Sequence, residues 1–226
     1  MAMSSGLEFN EDYGDVTDVT RMLYLERDMA GFAEAKPLAG EVGQVFSYSS
    51  GTAMILSKLW QNALGDPQAA AGWPRKALFD PLGMQSAVLE ADESGTFVGS
   101  SYLYANARDW ARFGQFLLQD GHWNGKEILP PGFVGWMREI APASDDVYGK
   151  GQLWIAGPGE EQAAGSSNVV ELPSDTYWLE GHDGQSVAIV PSERLVVVRM
   201  GLTPAKLNYR PQKLVASLLM ALRQPQ

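Results

Sequence analysis

The spacing of apolar residues predicts helices through the first two thirds of the chain, because positions three and four apart share one helix face. Glycine and proline mark the ends of these helices, since glycine favours the position after a helix and proline interrupts the hydrogen bonds of its interior. The first predicted helix has its apolar residues at 19–25 and ends before Pro37. The others are residues 53–63, which end before Gly65; a short segment between Pro67 and Phe79; residues 110–117, which lie between a capping Asn106 and Gly121; and residues 133–140, which follow Pro130 and Pro131.

The pattern changes from Tyr148 onward to short apolar stretches of the kind that form strands. Residues 191–194 read as a hairpin turn between the last two strands, residues 157–168 as an exposed insertion, and residues 212–222 as a closing apolar helix. Helices followed by an antiparallel sheet and a terminal helix indicate an α+β fold. We expect one domain over residues 1–226, mainly helical to about residue 145, with the sheet and last helix from about 146. The predicted strands are residues 152–156, 176–180, 186–190 and 195–200.

Composition excludes several kinds of partner and site. A net charge of -10 with only 17 Lys and Arg argues against nucleic-acid binding, which requires clustered cations. No apolar run reaches the roughly 20 residues of a membrane span. With no cysteine and two histidines, we expect neither a metal site nor a cofactor. The first residues show no secretory signal, and the compartment stays undetermined.

The opening segment is acidic, with five carboxylates between residues 8 and 18. Their spacing does not match the alternate positions of an EF-hand loop, so the segment reads as a solvated turn rather than a calcium loop.

Two short motifs carry the candidate chemistry. The first is FSYSSG at residues 46–51, in which Tyr48 stands among serines just before a predicted helix. The second is GHDGQ at residues 181–185, between two predicted strands. Serine hydrolases of the penicillin-binding kind combine such motifs with a nucleophile in S-x-x-K. None of the lysines in this sequence has a serine three positions before it.

The order of these motifs resembles the serine β-lactamase-like hydrolase superfamily, nearest to 6-aminohexanoate-dimer (nylon-oligomer) hydrolase and related carboxylesterases. The resemblance also rests on MSSGL at residues 3–7 followed by DYGD at 12–15, and on ARDWARFG at 107–114. It implies a fold of the β-lactamase and penicillin-binding-protein type. It also implies that this chain corresponds to the carboxy-terminal portion of such an enzyme, without the N-terminal strands and the nucleophile helix.

The resemblance implies roles for individual residues. Tyr48 matches the tyrosine of the family's Y-x-N or Y-x-S motif, which moves a proton between nucleophile and leaving group, and Ser50 takes the third place of that motif. Tyr13 matches a loop tyrosine that closes over the substrate.

His182 falls on the third motif, whose usual form is a cation, a small hydroxyl residue and glycine. If His182 takes the first place, Asp183 replaces the hydroxyl residue and Gly184 is the glycine. If Gly181 is the motif glycine instead, the His182 backbone N–H becomes an oxyanion donor. Both registers stay open.

Three hypotheses follow. In the first, the chain is part of a serine hydrolase that acts on a small ester or amide through an acyl-enzyme, and it is inactive alone because it lacks S-x-x-K. In the second, it is a non-catalytic ligand-binding module or pseudoenzyme. In the third, the absent segment comes from another chain, so that an unpaired sheet edge promotes self-association or pairing with that segment.

Overall fold

The computed structural model describes residues 1–158 and 171–224. The backbone groups into two compact units: unit 1 contains residues 1–106 and 141–144, and unit 2 contains residues 107–140 and the described chain from 145 onward. The predicted insertion at 157–168 lies outside the described residues from 159 onward. Our expectation of one domain divided near residue 145 stays a prediction.

Unit 1 is mainly helical. The helix predicted between residue 19 and Pro37 is divided in two, because the Asp28 carboxylate accepts a hydrogen bond from the Gly31 N–H and starts a new helix. The elements of unit 1 are α1 (Asp18–Leu25), α2 (Met29–Glu34), α3 (Ser50–Ala63), α4 (Pro67–Pro74), a π-helical turn (Arg75–Phe79), α5 (Asp80–Leu82), and the antiparallel pair β1 (Val88–Leu89) and β2 (Leu103–Tyr104).

The core of unit 1 lies between α1, α2 and α3. Val19, Met22, Ala30 and Met54 have no exposed surface, and Phe9 packs against them. The third helix begins after Ser49, whose hydroxyl accepts from the Thr52 N–H, and it ends before Gly65, which takes a positive φ of 71°. The predicted helix and its glycine stop are therefore confirmed.

Unit 2 combines helices with a three-stranded sheet. Its hairpin at residues 122–127 turns at Asn124 and Gly125, both with positive φ, which is typical of an Asn-Gly turn. The elements of unit 2 are α6 (Ala107–Leu118), β3 (His122–Trp123), β4 (Lys126–Glu127), α7 (Phe133–Arg138), β5 (Tyr177–Gly181), β6 (Gln185–Val190), β7 (Leu195–Arg199) and α8 (Pro211–Arg223).

The sheet has the order β5-β6-β7 and is antiparallel throughout. One buried cluster joins the sheet to α8 through Trp178, Val190, Val215 and Leu219. Helix α6 packs on the sheet at Gly114, where an ideal Cβ would lie 2.6 Å from Val196 Cγ1. Within the described residues, the only ladder partner of β7 is β6, and all five residues of β7 are partly exposed.

The predicted strand at 152–156 is wrong. Only Trp154 pairs there, as an isolated bridge to Tyr148 and to Trp178. Gln152 takes a positive φ of 62°, and Gly151 lies so close to Met137 that an ideal Cβ would be 2.3 Å from Met137 Cγ. A backbone that turns at one residue and approaches a helix at another cannot extend as a strand.

The helices and sheets agree with the predicted α+β class. Within the described parts of the chain, none of the helices combines the length and the apolar character that crossing a membrane requires.

Candidate functional site

Tyr48 stands at the entrance to α3. The residue is 38% exposed, and it directly precedes Ser49, which caps the helix. The segment before it is fixed by a 2.8 Å hydrogen bond from the Ser47 N–H to the Met3 carbonyl. These two contacts hold the backbone on both sides of Tyr48.

Ser50 is buried rather than open to a cleft. It is 5% exposed, and the Glu11 carboxylate accepts from both of its donors: the backbone N–H at 2.9 Å and the hydroxyl through a short hydrogen bond. In this conformation the Ser50 hydroxyl supports the helix entrance. Its predicted role in substrate binding stays a prediction.

Tyr13 joins the same contact. Its phenol hydrogen-bonds with the side chains of Ser50 and Glu11, while the residue as a whole stays 42% exposed. Burial raises the pKa of the Tyr13 phenol; the Ser50 hydrogen bond acts in the opposite direction, and the nearby Glu11 charge raises it further. Two residues that the sequence placed 37 positions apart, Tyr13 and Ser50, are thus in direct contact.

Glu11 was missed by sequence reasoning. The acidic turn that contains it reads as solvated, yet its carboxylate is partly buried against Ser50. Burial raises the pKa of this carboxyl above its usual value, although the Ser50 donors and the Tyr13 phenol each favour its ionised form. The apolar Phe9, two residues earlier, is a signal that could have indicated an inward-facing side chain at Glu11.

The third-motif residues Gly181, His182, Asp183 and Gly184 form one tight turn in unit 2, between the paired ends of β5 and β6. Asp183 takes a left-handed conformation with φ of 55°, and Gly184 has φ of 79°. The His182 side chain is 62% exposed, and its Nε2 lies 3.7 Å from Asp183 Oδ2. That distance exceeds a hydrogen bond, so the pair does not form the buried His–Asp contact of a triad.

Arg199, at the end of β7, holds this turn. Its guanidinium donates to the Gly184 carbonyl at 2.8 Å and to the Thr203 hydroxyl, and it lies 3.9 Å from the centre of the Tyr209 ring. The Thr203 N–H donates to the Asp183 carbonyl at 2.6 Å. Arg199 and Thr203 were also missed from the sequence, where no motif marks them.

The described residues contain no group of three or more His, Asp or Glu side chains arranged to hold a metal ion.

Comparison with known proteins is consistent with the fold. A Bacillus anthracis protein described as a 6-aminohexanoate-dimer hydrolase superposes with a TM-score of 0.73 at 23% identity, over 99% of this chain and 61% of its own. A β-lactamase from Mycobacterium bovis superposes with a TM-score of 0.62 at 17% identity, over 97% of this chain and 71% of its own. At these identities the likeness shows a shared fold.

Among curated proteins, an uncharacterized protein from Alkalihalophilus pseudofirmus is 29% identical over 101 residues, which are 43% of this chain and 29% of that protein. The chain thus spans less than two thirds of the first of these structures and of this curated relative. The model of the beta-lactamase family matches residues 1–211, nearly the whole sequence. This chain therefore belongs to the beta-lactamase family.

Proposed function

We propose that this chain provides the proton-transfer tyrosine and the oxyanion side of a serine hydrolase that cleaves a small ester or linear amide through an acyl-enzyme. The observation that carries the proposal is Tyr48, a partly exposed tyrosine next to the cap of α3, at the position that matches the tyrosine motif by resemblance. A positioned phenol near a lysine can pass a proton from the attacking serine to the leaving group. The serine and lysine of S-x-x-K are absent from these 226 residues.

The turn at residues 181–185 would supply the second part of the chemistry. A backbone N–H aimed at a developing oxyanion contributes about 3 kcal/mol to transition-state stabilisation, provided that it is fixed before the reaction. Arg199 and Thr203 hold the turn by hydrogen bonds to the carbonyls of Gly184 and Asp183, which supports such a role. Both registers of the motif around His182 are compatible with this proposal.

The chain alone should lack acyl-enzyme chemistry, because removing the nucleophile and its base removes the covalent step. We expect no burst with p-nitrophenyl esters and no labelling by a fluorophosphonate. Stoichiometric labelling of any serine in the chain would refute this.

The positive test uses the gene product read upstream of Met1. If that frame encodes S-x-x-K, the longer protein should be labelled at its serine. Tyr48→Phe in the longer protein should lower kcat by about 10²-fold or more while the fold is retained, as expected for the loss of a general acid–base. The control is Tyr209→Phe. Its ring packs on Arg199, and a phenylalanine keeps that contact.

The runner-up function is a non-catalytic ligand-binding module, which the absence of S-x-x-K favours. It predicts that small esters or amides raise the melting temperature of the chain without turnover. An upstream frame that carries S-x-x-K would count against it.

We also propose that β7 is a pairing edge. Leu195 to Val198 are apolar and partly exposed along a strand with one described ladder partner. An open apolar edge tends to pair with another chain or segment. Light scattering should therefore show self-association. A monodisperse monomer would contradict this part of the proposal.

A further inference from the structure

The first turn of α3 receives a carboxylate from a residue 39 positions earlier. Glu11 Oε2 accepts from the Ser50 N–H at 2.9 Å, and Oε1 accepts from the Ser50 hydroxyl. Helix N-termini present unpaired N–H groups and favour negative charge. The Ser49 hydroxyl already accepts from the Thr52 N–H at 3.1 Å. Glu11 therefore accepts from a second N–H of the first turn, that of Ser50, which the Ser49 cap does not reach.

The segment that carries Glu11 is itself fixed. The Asp12 N–H donates to the Asn10 side chain at 2.9 Å, the Gly14 N–H donates to the Asp12 carboxylate at 2.8 Å, and the Asn10 N–H donates to Asp18 at 2.9 Å. Turns of this kind hold the backbone locally. Glu11 and Tyr13 therefore reach Ser50 from a segment with little freedom of its own.

The direction of the hydrogen bonds follows from the groups present. An ionised carboxylate only accepts, and the Ser50 hydroxyl donates its proton to Glu11. A carboxylate has no proton to give, so the Tyr13 phenol is the donor in its hydrogen bond with Glu11. Replacing Glu11 would leave the Ser50 hydroxyl without this acceptor and would remove one hydrogen-bond partner of the Tyr13 phenol.

We propose that Glu11 is a positioning residue that holds Tyr13 and the Tyr48 segment in a fixed relation through Ser50. The two tyrosines sit on either side of this contact: Tyr13 two residues after Glu11, and Tyr48 two residues before Ser50. Among the described side chains, no Lys, Arg or His forms an ion pair with Glu11, so its hydrogen bonds to Ser50 and Tyr13 are what orient it.

Tyrosine nitration tests this positioning without turnover. The chain contains no cysteine, so tetranitromethane has no thiol to oxidise. The nitration rates of Tyr13 and Tyr48 would be measured by peptide mass spectrometry in the wild type, Glu11→Gln and Glu11→Ala. Tyr104, 52% exposed, is the internal reference. Glu8→Gln, an exposed glutamate of the same segment, is the matched control.

In Glu11→Ala we expect Tyr13 to react about three-fold faster or more relative to Tyr104, because both the negative charge and the hydrogen-bond acceptor that hold back its phenolate are lost. We expect Tyr48 to accelerate as well, since Ser50 is released. In Glu11→Gln the charge is lost, but the amide oxygen can accept from the Ser50 N–H, and the Ser50 hydroxyl can turn to accept from the amide N–H. Tyr13 should therefore accelerate and Tyr48 should not. Glu8→Gln should leave both rates unchanged.

Unchanged rates at Tyr13 and Tyr48 in Glu11→Ala would overturn the proposal, and so would a rise at Tyr13 alone. An equal rise at Tyr104 would mean that Glu11 only stabilises the fold, which also contradicts it. Should Glu11→Ala not fold, Glu11→Asp, shorter by one methylene, carries the same comparison. Because no step requires catalysis, the result is independent of whether the chain belongs to an active hydrolase.

Discussion

The two motif segments are held by side chains of opposite charge. At the entrance to α3, the anion Glu11 accepts hydrogen bonds from Ser50, 39 residues away. At the turn between β5 and β6, the cation Arg199 donates to the Gly184 carbonyl, 15 residues away. The difference follows from the backbone: a helix start leaves N–H groups without partners, whereas this tight turn leaves carbonyls. The charge of each distant residue matches the backbone group that the local structure leaves unpaired.

The largest expected effect concerns the packing beneath the Glu11 contact. Gly51→Ala would place a Cβ 2.6 Å from the Phe9 ring and 3.1 Å from the Ala33 Cβ, so the start of α3 must shift. Overpacking of this kind destabilises by about 2 kcal/mol or more, which exceeds the roughly 1 kcal/mol that alanine gains over glycine in a helix. Urea unfolding should show the loss.

Gly72→Ala is the matched control for that substitution. Gly72 lies in α4, and an added Cβ would meet nothing within 4 Å. Only the helix propensity then changes, and stability should rise by up to about 1 kcal/mol. A Gly51→Ala protein as stable as Gly72→Ala would mean that the entrance to α3 is not held against Phe9.

Arg199→Ala should have the next largest effect, a loss of about 2 kcal/mol in the free energy of unfolding. The substitution removes both the charged hydrogen bond to the Gly184 carbonyl and the contact with the Tyr209 ring. Arg199→Lys should lose about half as much, since a lysine keeps the charge but not the planar fork. Arg108→Ala, an exposed arginine on α6, is the control. Hydrogen exchange at the Thr203 amide should increase in Arg199→Ala. Unchanged exchange there would show that the turn does not depend on Arg199.

Thr203→Val tests how much the hydrogen bond from Arg199 to the Thr203 hydroxyl contributes to the turn. The substitution keeps the shape and removes the hydroxyl, while the Thr203 N–H still donates to the Asp183 carbonyl. Arg199 keeps its bonds to the carbonyls of Gly184 and Gly201, so we expect a loss of only about 0.5–1 kcal/mol in unfolding free energy. A loss as large as that of Arg199→Ala would place the main support of the turn at the hydroxyl.

The spacing of apolar residues correctly predicted those helices and strands that each bury one continuous face of their own. Helices α3, α6 and α8 and strands β5 to β7 all lie where apolar spacing places them. The wrong strand at 152–156 came from apolar composition alone, since Gly151 and Gln152 are fixed by contact with Met137 and by a positive φ that composition does not encode.

The motif residues were recognisable because they are local, whereas their supports are not. Ser47 to Gly51 and Gly181 to Gln185 are contiguous in the sequence. Glu11 and Arg199 become relevant only when the fold brings them to Ser50 and Gly184. A charge in an acidic turn or at a strand end carries no sign of such a distant contact, because most charges of that kind are solvated.

The smallest expected effect is a pH dependence at Glu11, and its sign separates the burial of Glu11 from its hydrogen bonding. Burial raises the pKa of this carboxyl above its usual value, against the hydrogen bonds from Ser50 and Tyr13. Between the usual and the raised pKa the folded protein therefore binds more protons than the unfolded chain, and the contribution of Glu11 to stability falls as pH rises through that window. The unfolding free energy of the wild type minus that of Glu11→Gln should thus decrease from pH 4 to pH 7 in urea titrations, with Glu8→Gln as the control for a lost exposed carboxylate. A difference that grows with pH would mean that the hydrogen bonds to Ser50 outweigh burial, and the anion at the helix entrance would then stabilise the fold in its charged form, as the cation at the turn does.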